Sequence, residues 1–174
     1  MVLTYSFKVI MMGDGAVGKT SLVIRYTENR FDLKYKATLG AAFAAKEVKI
    51  TNVKINLMIW DLAGQPSFDE VRDHYYLGSS AAILVFDVTN ASTTEKLRKW
   101  LVKFRKQVPK GPVILVGNKT DLVEKRQIST QEAHEIRDKL QLPYFETSCS
   151  TGEGVNEVFH SLIIKTLEAK ERRR

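Results

Sequence analysis

A chain of 174 residues that is 44% hydrophobic has enough apolar material for one core, and a single cysteine, Cys149, excludes an internal disulfide and suits a reducing compartment. The formal charge of +7 raises nucleic acid as a partner, but no aromatic residues interleave with the stripe of lysines at helical spacing over 96–110, as a nucleic-acid groove requires, so that class is set aside. No apolar run approaches the roughly 18 to 20 residues of a membrane-spanning helix, and "MVLTYSFKV" lacks the basic-then-apolar order of a secretory signal, so a cytoplasmic protein is expected.

Taken in chain order, "YSFKVIMMG" (5–13) predicts a buried strand, followed by a helix over "KTSLVIRYTE" (19–28). Residues 41–50 and 53–61 predict two strands joined by a tight turn at Thr51 and Asn52. "AAILVFDV" (81–88) predicts another buried strand. In "TTEKLRKWLVKFRKQVPK" (93–110), Leu97, Trp100, Leu101, Phe104 and Val108 share one helical face, while Lys96, Lys99, Lys103, Lys106 and Lys110 form a solvated one. A strand over 112–118, a helix over 129–140, a strand over 143–148 and a helix over 155–170 complete the pattern.

No repeat, low-complexity block or Pro/Gly-rich linker divides the chain, so one domain over 1–174 is expected, with a core of about 5–170 and a basic tail at 171–174. Apolar strands separated by crossover helices predict an α/β fold. Its sheet should be six-stranded and mostly parallel, with one antiparallel edge strand from the 41–61 hairpin and helices on both faces. Ligands bind such sheets beyond the carboxyl ends of the strands, which makes the loops after strands the informative ones.

The first of these loops, "GDGAVGKTS" (13–21), matches G-x-x-x-x-G-K-[ST] between a strand and a helix. Gly13 and Gly18 let the backbone wrap close to phosphate oxygens, Lys19 adds a point charge and Thr20 a hydroxyl for Mg²⁺. Another, "LVGNKTDL" (115–122), selects the base. The Asp121 carboxylate can accept both the N1–H and the 2-amino N–H of guanine, a pair that adenine does not offer. Asn118 can bond locally to hold the loop, and the stem of Lys119 can lie over the base.

"GDGAVGKTS", "WDLAGQ", "NKTD" and "ETSCS" follow one another in the order and spacing of the Ras superfamily of small GTPases, and the chain resembles that family from about Tyr5 to Lys170. "HYYLGSSAAILVFDVTN" and the aromatic set Phe43, Trp60 and Tyr75 are most similar to the Rab branch, although these three aromatics could equally serve ordinary packing. The resemblance implies a P-loop NTPase of the Ras-like G-domain type. It implies that Gly15, Ala16, Val17, Gly18, Lys19, Thr20 and Ser21 hold the phosphates, with Tyr35 covering them. Thr20, Thr38 and Asp61 would hold Mg²⁺. Phe31, Asn118, Lys119, Asp121, Ser148 and Cys149 would hold the guanine. Lys19, Thr38 and Gly64 would stabilise the γ-phosphate, and Gln65 would orient the attacking water.

Four departures qualify the transfer. Where the family usually has Ser-Ala-Lys, this chain has Ser148-Cys149-Ser150, so the aliphatic stem that covers the base is gone and weaker nucleotide affinity is expected. Cys149 beside the base is either oxidation-sensitive or an inert buried thiol. "TLGAAF" carries alanines where the Rab pattern has a valine and an acid, leaving partner identity at that surface open. The chain as given carries no prenylation or myristoylation motif, and its "KERRR" end suits at most a weak, salt-sensitive contact with an acidic membrane surface. Pro66, where the family commonly has an acid, biases Gln65 toward extended geometry, in a direction for catalysis that stays open.

The expected function is a monomeric, Mg²⁺-dependent GTP/GDP switch that hydrolyses GTP, controlled by an exchange factor, a GTPase-activating protein and effectors. "FDLKYKATLG" offers only lysines and no arginine to act as an internal finger, so slow intrinsic hydrolysis is expected. His74, His134 and His160 lack metal or triad spacing. The alternatives are a nucleotide-binding interaction module without turnover, which the presence of Gln65 disfavours, and an ATP-using P-loop enzyme, which Asp121 disfavours.

Overall fold

The computed structural model describes residues 3–32, 38–64 and 69–172. Within them the chain forms β1 (Leu3–Met12), α1 (Lys19–Glu28), β2 (Ala41–Ile50), β3 (Val53–Leu62), α2 (Asp69–Tyr76), β4 (Ala81–Asp87), α3 (Leu97–Gln107), β5 (Val113–Asn118), α4 (Thr130–Leu140), β6 (Tyr144–Thr147) and α5 (Val155–Glu171). The strands make one sheet in the order β2-β3-β1-β4-β5-β6. Only the β2–β3 hairpin is antiparallel, with Ile50 opposite Val53; β1 pairs in parallel with β3 and β4, and β5 with β4 and β6.

Strand alternation sorts the core into two layers. Tyr5, Phe7, Val9 and Met11 face α1 and α5, which contribute Leu22, Val23 and Tyr26, and Val155, Val158, Phe159, Leu162 and Ile163. Ile10 and Met12 face the other way, toward Leu97, Trp100 and Phe104 of α3 and Ala133 of α4. Burial on both faces explains why β4 and β5 are written as nearly unbroken apolar runs, whereas β1 alternates until Val9 and is buried throughout only from there. The lysine face of α3 is solvent-facing for most of its length, with Lys103 half-buried beside Asp73 at 3.6 Å.

Two local structures differ from the sequence pattern. The helix expected from Thr93 starts at Leu97, because the threonines bond the main chain instead. Thr93 Oγ1 donates to Asn90 O at 2.7 Å and accepts from Asp87 N at 3.0 Å, closing a 3₁₀ turn over Ala91–Thr94. The sequence reading names no element over Asp69–Tyr76, where the structure has the short helix α2; its Tyr76 is fully buried, edge-on to Phe104 with ring centres 5.8 Å apart.

Because β1, β3, β4, β5 and β6 run the same way, the loops that follow them emerge at one edge. That edge carries 13–18, 63–64, 88–90, 119–122 and 148–154.

Candidate functional site

β1 ends in a loop whose backbone turns through positive φ at Gly13 (136°), Ala16 (63°) and Gly18 (101°). A Cβ on Gly13 would lie 2.2 Å from Val85 O, and one on Gly18 2.2 Å from Asn118 Nδ2, so both positions require glycine. Gly18 is the N-cap of α1 and offers no side-chain cap, which leaves the first-turn amides of Lys19, Thr20 and Ser21 without intrahelical acceptors. The Lys19 ammonium lies folded along the loop, donating to Gly13 O at 2.8 Å and Asp14 O at 2.7 Å, with the residue only 6% exposed. Gly15, Ala16, Lys19, Thr20, Thr38 and Gly64 border a narrow pocket of about 10 Å³. Gly64 approaches so closely that a Cβ there would sit 2.3 Å from the Asp14 carbonyl carbon. Val17 differs from its neighbours: its side chain is core, its carbonyl accepts from Asn118 Nδ2 at 2.9 Å, and it borders neither pocket.

Three oxygen-bearing side chains from separate elements meet beside this pocket. Thr20 Oγ1 donates to Asp61 Oδ2 and lies 2.8 Å from Thr38 Oγ1, which is 3.3 Å from the same carboxylate oxygen. Asp61 Oδ1 is buried and accepts no hydrogen bond from the described residues. Burial raises the Asp61 carboxyl above its ordinary value, against the opposing pull of the Thr20 hydroxyl, the Lys19 charge and the Thr38 hydroxyl. A buried carboxylate with one orphaned oxygen, flanked by two hydroxyls, is a hard-oxygen donor set that fits Mg²⁺.

The larger cleft, about 530 Å³, lies on the other side of α1's start and is bordered by Phe31, Lys119, Asp121, Cys149 and Ser150 together with Ala16, Gly18 and Ser21. Ser148 Oγ donates to Asp121 Oδ1 at 2.7 Å and receives the Thr151 amide at 3.1 Å, so the carboxylate is braced from below. Asn118, 1% exposed, borders the cleft, but its side-chain bonds are spent holding loops: it donates to Val17 O and accepts from Thr147 Oγ1 at 2.9 Å. Lys119, at φ 73°, sends its ammonium to Ala16 O at 2.7 Å and Asp87 Oδ2 at 2.6 Å.

Asp87 is therefore a residue of the site that motif reading missed, although an acid closing the apolar run "AAILVF" was a usable signal. Asp14, held by Trp100 Nε1 at 3.3 Å and Lys96 at 3.6 Å, and Arg25 were also missed. Tyr35, Gln65 and Pro66 lie outside the described residues. Away from the cleft, Phe43, Trp60 and Tyr75 form one cluster, with ring centres 5.3 Å and 5.5 Å apart and Phe43 55% exposed, so part of the set is surface rather than core.

A model of the Ras family matches residues 8–168. Ras-related protein Rab-21 of Bos taurus is 40% identical over 173 residues, covering 97% of this chain and 78% of that protein. The GTP-binding proteins ypt3 and ypt5 of Schizosaccharomyces pombe are 38% and 40% identical, covering 91% and 94% of this chain and 75% and 79% of their own lengths. Phosphate loop, oxygen cluster and base cleft thus stand along one sheet edge in a chain that matches these proteins nearly end to end, and the chain belongs to the Ras family, in its Rab branch.

Proposed function

We propose that this GTP-binding, GTP-hydrolysing switch acts in membrane trafficking, and that one nucleotide lies across the two pockets at the sheet edge. The observation that carries the reading is that loops far apart in sequence line two neighbouring pockets, Lys19 and Gly64 bordering one and Asp121 the other, with Ala16 and Gly18 bordering both. Asp121, braced by Ser148, reads the N1–H and 2-amino group of guanine, the Cys149 amide meets O6, and Phe31 lies against the ring. The amides of Gly15 to Ser21 and the Lys19 ammonium take the α- and β-phosphates, with Tyr35 covering them.

Thr20, Thr38 and Asp61 are the residues that would hold Mg²⁺, which when bound neutralises charge on the β- and γ-phosphates. Gly64 offers its amide to the γ-phosphate, and Gln65 orients water. The water oxygen bonds to the γ-phosphorus, the β–γ bridging oxygen departs with GDP, and the proton leaves with inorganic phosphate. Lys19 and the loop amides stabilise the charge that develops.

GTP- and GDP-bound forms then differ at residues 30–42 and 62–79, and regulators and effectors shift the balance only through their differential affinity for the two. The Phe43–Trp60–Tyr75 surface borders both segments and suits such partners. The protein acts as a single-domain monomer, with the basic end lending weak contact to an acidic membrane surface.

Single-turnover GTP hydrolysis in Mg²⁺ tests this. The parent should release phosphate slowly and faster with an arginine-donating activator, and Gln65→Leu should lower the activated rate at least about tenfold. A GTP-saturated parent that releases no phosphate in either condition would instead be a binding module.

A further inference from the structure

The cleft's base-facing loop is gripped from α1. Arg25, in the last turn of α1, donates Nε to Cys149 O at 2.7 Å and Nη2 to Ser150 O at 2.7 Å, and its Nη1 lies 3.5 Å from Asn29 O. Among the described residues it makes no ion pair, so its charge is committed to main-chain oxygens in charge-assisted bonds. The partners lie 124 and 125 positions away in sequence.

A trans peptide holds its N–H opposite its C=O. A grip on Cys149 O therefore aims the Ser150 N–H, which shares its peptide plane, away from Arg25. The Gly152 amide takes Ser148 O at 2.8 Å and aims the Cys149 N–H in the same manner. Among the described residues neither the Cys149 nor the Ser150 amide has an acceptor, and both residues border the 530 Å³ cleft. The short Ser150 side chain cannot cover a base, so main-chain donors carry more of the recognition on this side.

We propose that Arg25 is a positioning residue for base specificity: it aims the Ser150 amide, beside the Cys149 amide that the Gly152 contact holds, toward the six-position oxygen of guanine, and fastens that loop to the helix whose N-terminus meets the phosphates. This rests on the guanine reading above. Arg25 touches neither base nor phosphate; it acts through the loop.

The test compares dissociation rates of GDP, 6-thio-GDP and ADP, with Mg²⁺, from the parent, Arg25→Ala and Arg25→Lys. 6-Thio-GDP keeps the N1–H and 2-amino group but presents a poor acceptor at position six. Arg25→Ala should release GDP about ten times faster, and the preference for GDP over 6-thio-GDP should fall by a similar factor. Arg25→Lys, able to keep one carbonyl bond, should lie between, and it carries the comparison if the alanine variant does not fold. Equal acceleration of GDP and 6-thio-GDP would make Arg25 a general support of the fold and overturn the proposal, as would no change in either. A parent that holds ADP as well as GDP would overturn the guanine reading itself, whatever Arg25 does.

Discussion

Cys149 illustrates how a residue's surroundings decide its chemistry. Its Sγ lies 3.5 Å from Asn118 Oδ1 and 4.0 Å from Gly18 O, and burial pushes the thiol from the ordinary 9.0 up to about 11. Of the two readings open from sequence, the inert buried thiol is the one this geometry favours. An unfolded chain ionises this thiol from about pH 9 and the folded chain only near pH 11, so the stability it lends is whole below pH 9 and is lost as pH rises through 11. Iodoacetamide at pH 8 should label the folded protein at least about tenfold more slowly than the urea-unfolded one; equal rates would contradict the burial. Gly13 and Gly18 were legible because a loop this tight demands glycine at fixed positions. Arg25 was not, since its partners are main-chain oxygens that leave no mark on the residues bearing them.

Among the elements, α4 was read nearly to the residue because its start is encoded in side chains. Ser129 Oγ accepts the Glu132 amide at 3.2 Å, and the Glu132 carboxylate accepts the Ser129 amide and hydroxyl at 2.8 Å each, a capping box spelled out in "STQE". Ser129→Ala should cost about 1 kcal/mol in urea unfolding while leaving nucleotide affinity unchanged. Unaltered stability would mean that solvent caps this helix as well as the box does. The start of α3 was misread for the opposite reason, as Thr93 and Asn90 satisfy the backbone locally and postpone the α-helix to Leu97. α2 escaped because it is only eight residues long, shorter than the other α-helices among the described residues.

At the scale of the molecule, the alternation of apolar strands and amphipathic helices was sufficient to predict the parallel sheet that brings the site's loops to one edge. What it could not supply is the bonding between those loops. Lys119 ties the base loop to Ala16 and Asp87, Asn118 ties it to Val17, and Trp100 holds Asp14 at the phosphate loop. These bonds cross from strand end to strand end and tie the 118–121 loop to the 13–18 loop. The central claim is that this linked edge reads guanine through Asp121. It is tested most directly by equilibrium binding of GDP and ADP, with Mg²⁺, to the parent and to Asp121→Asn. The expected result is a parent preference for GDP of at least about a thousandfold, as for sites built to pair a ligand's hydrogen-bonding groups, and a loss of most of that preference in Asp121→Asn. A parent that binds ADP as tightly as GDP, or an Asp121→Asn variant that keeps the full preference, would contradict it.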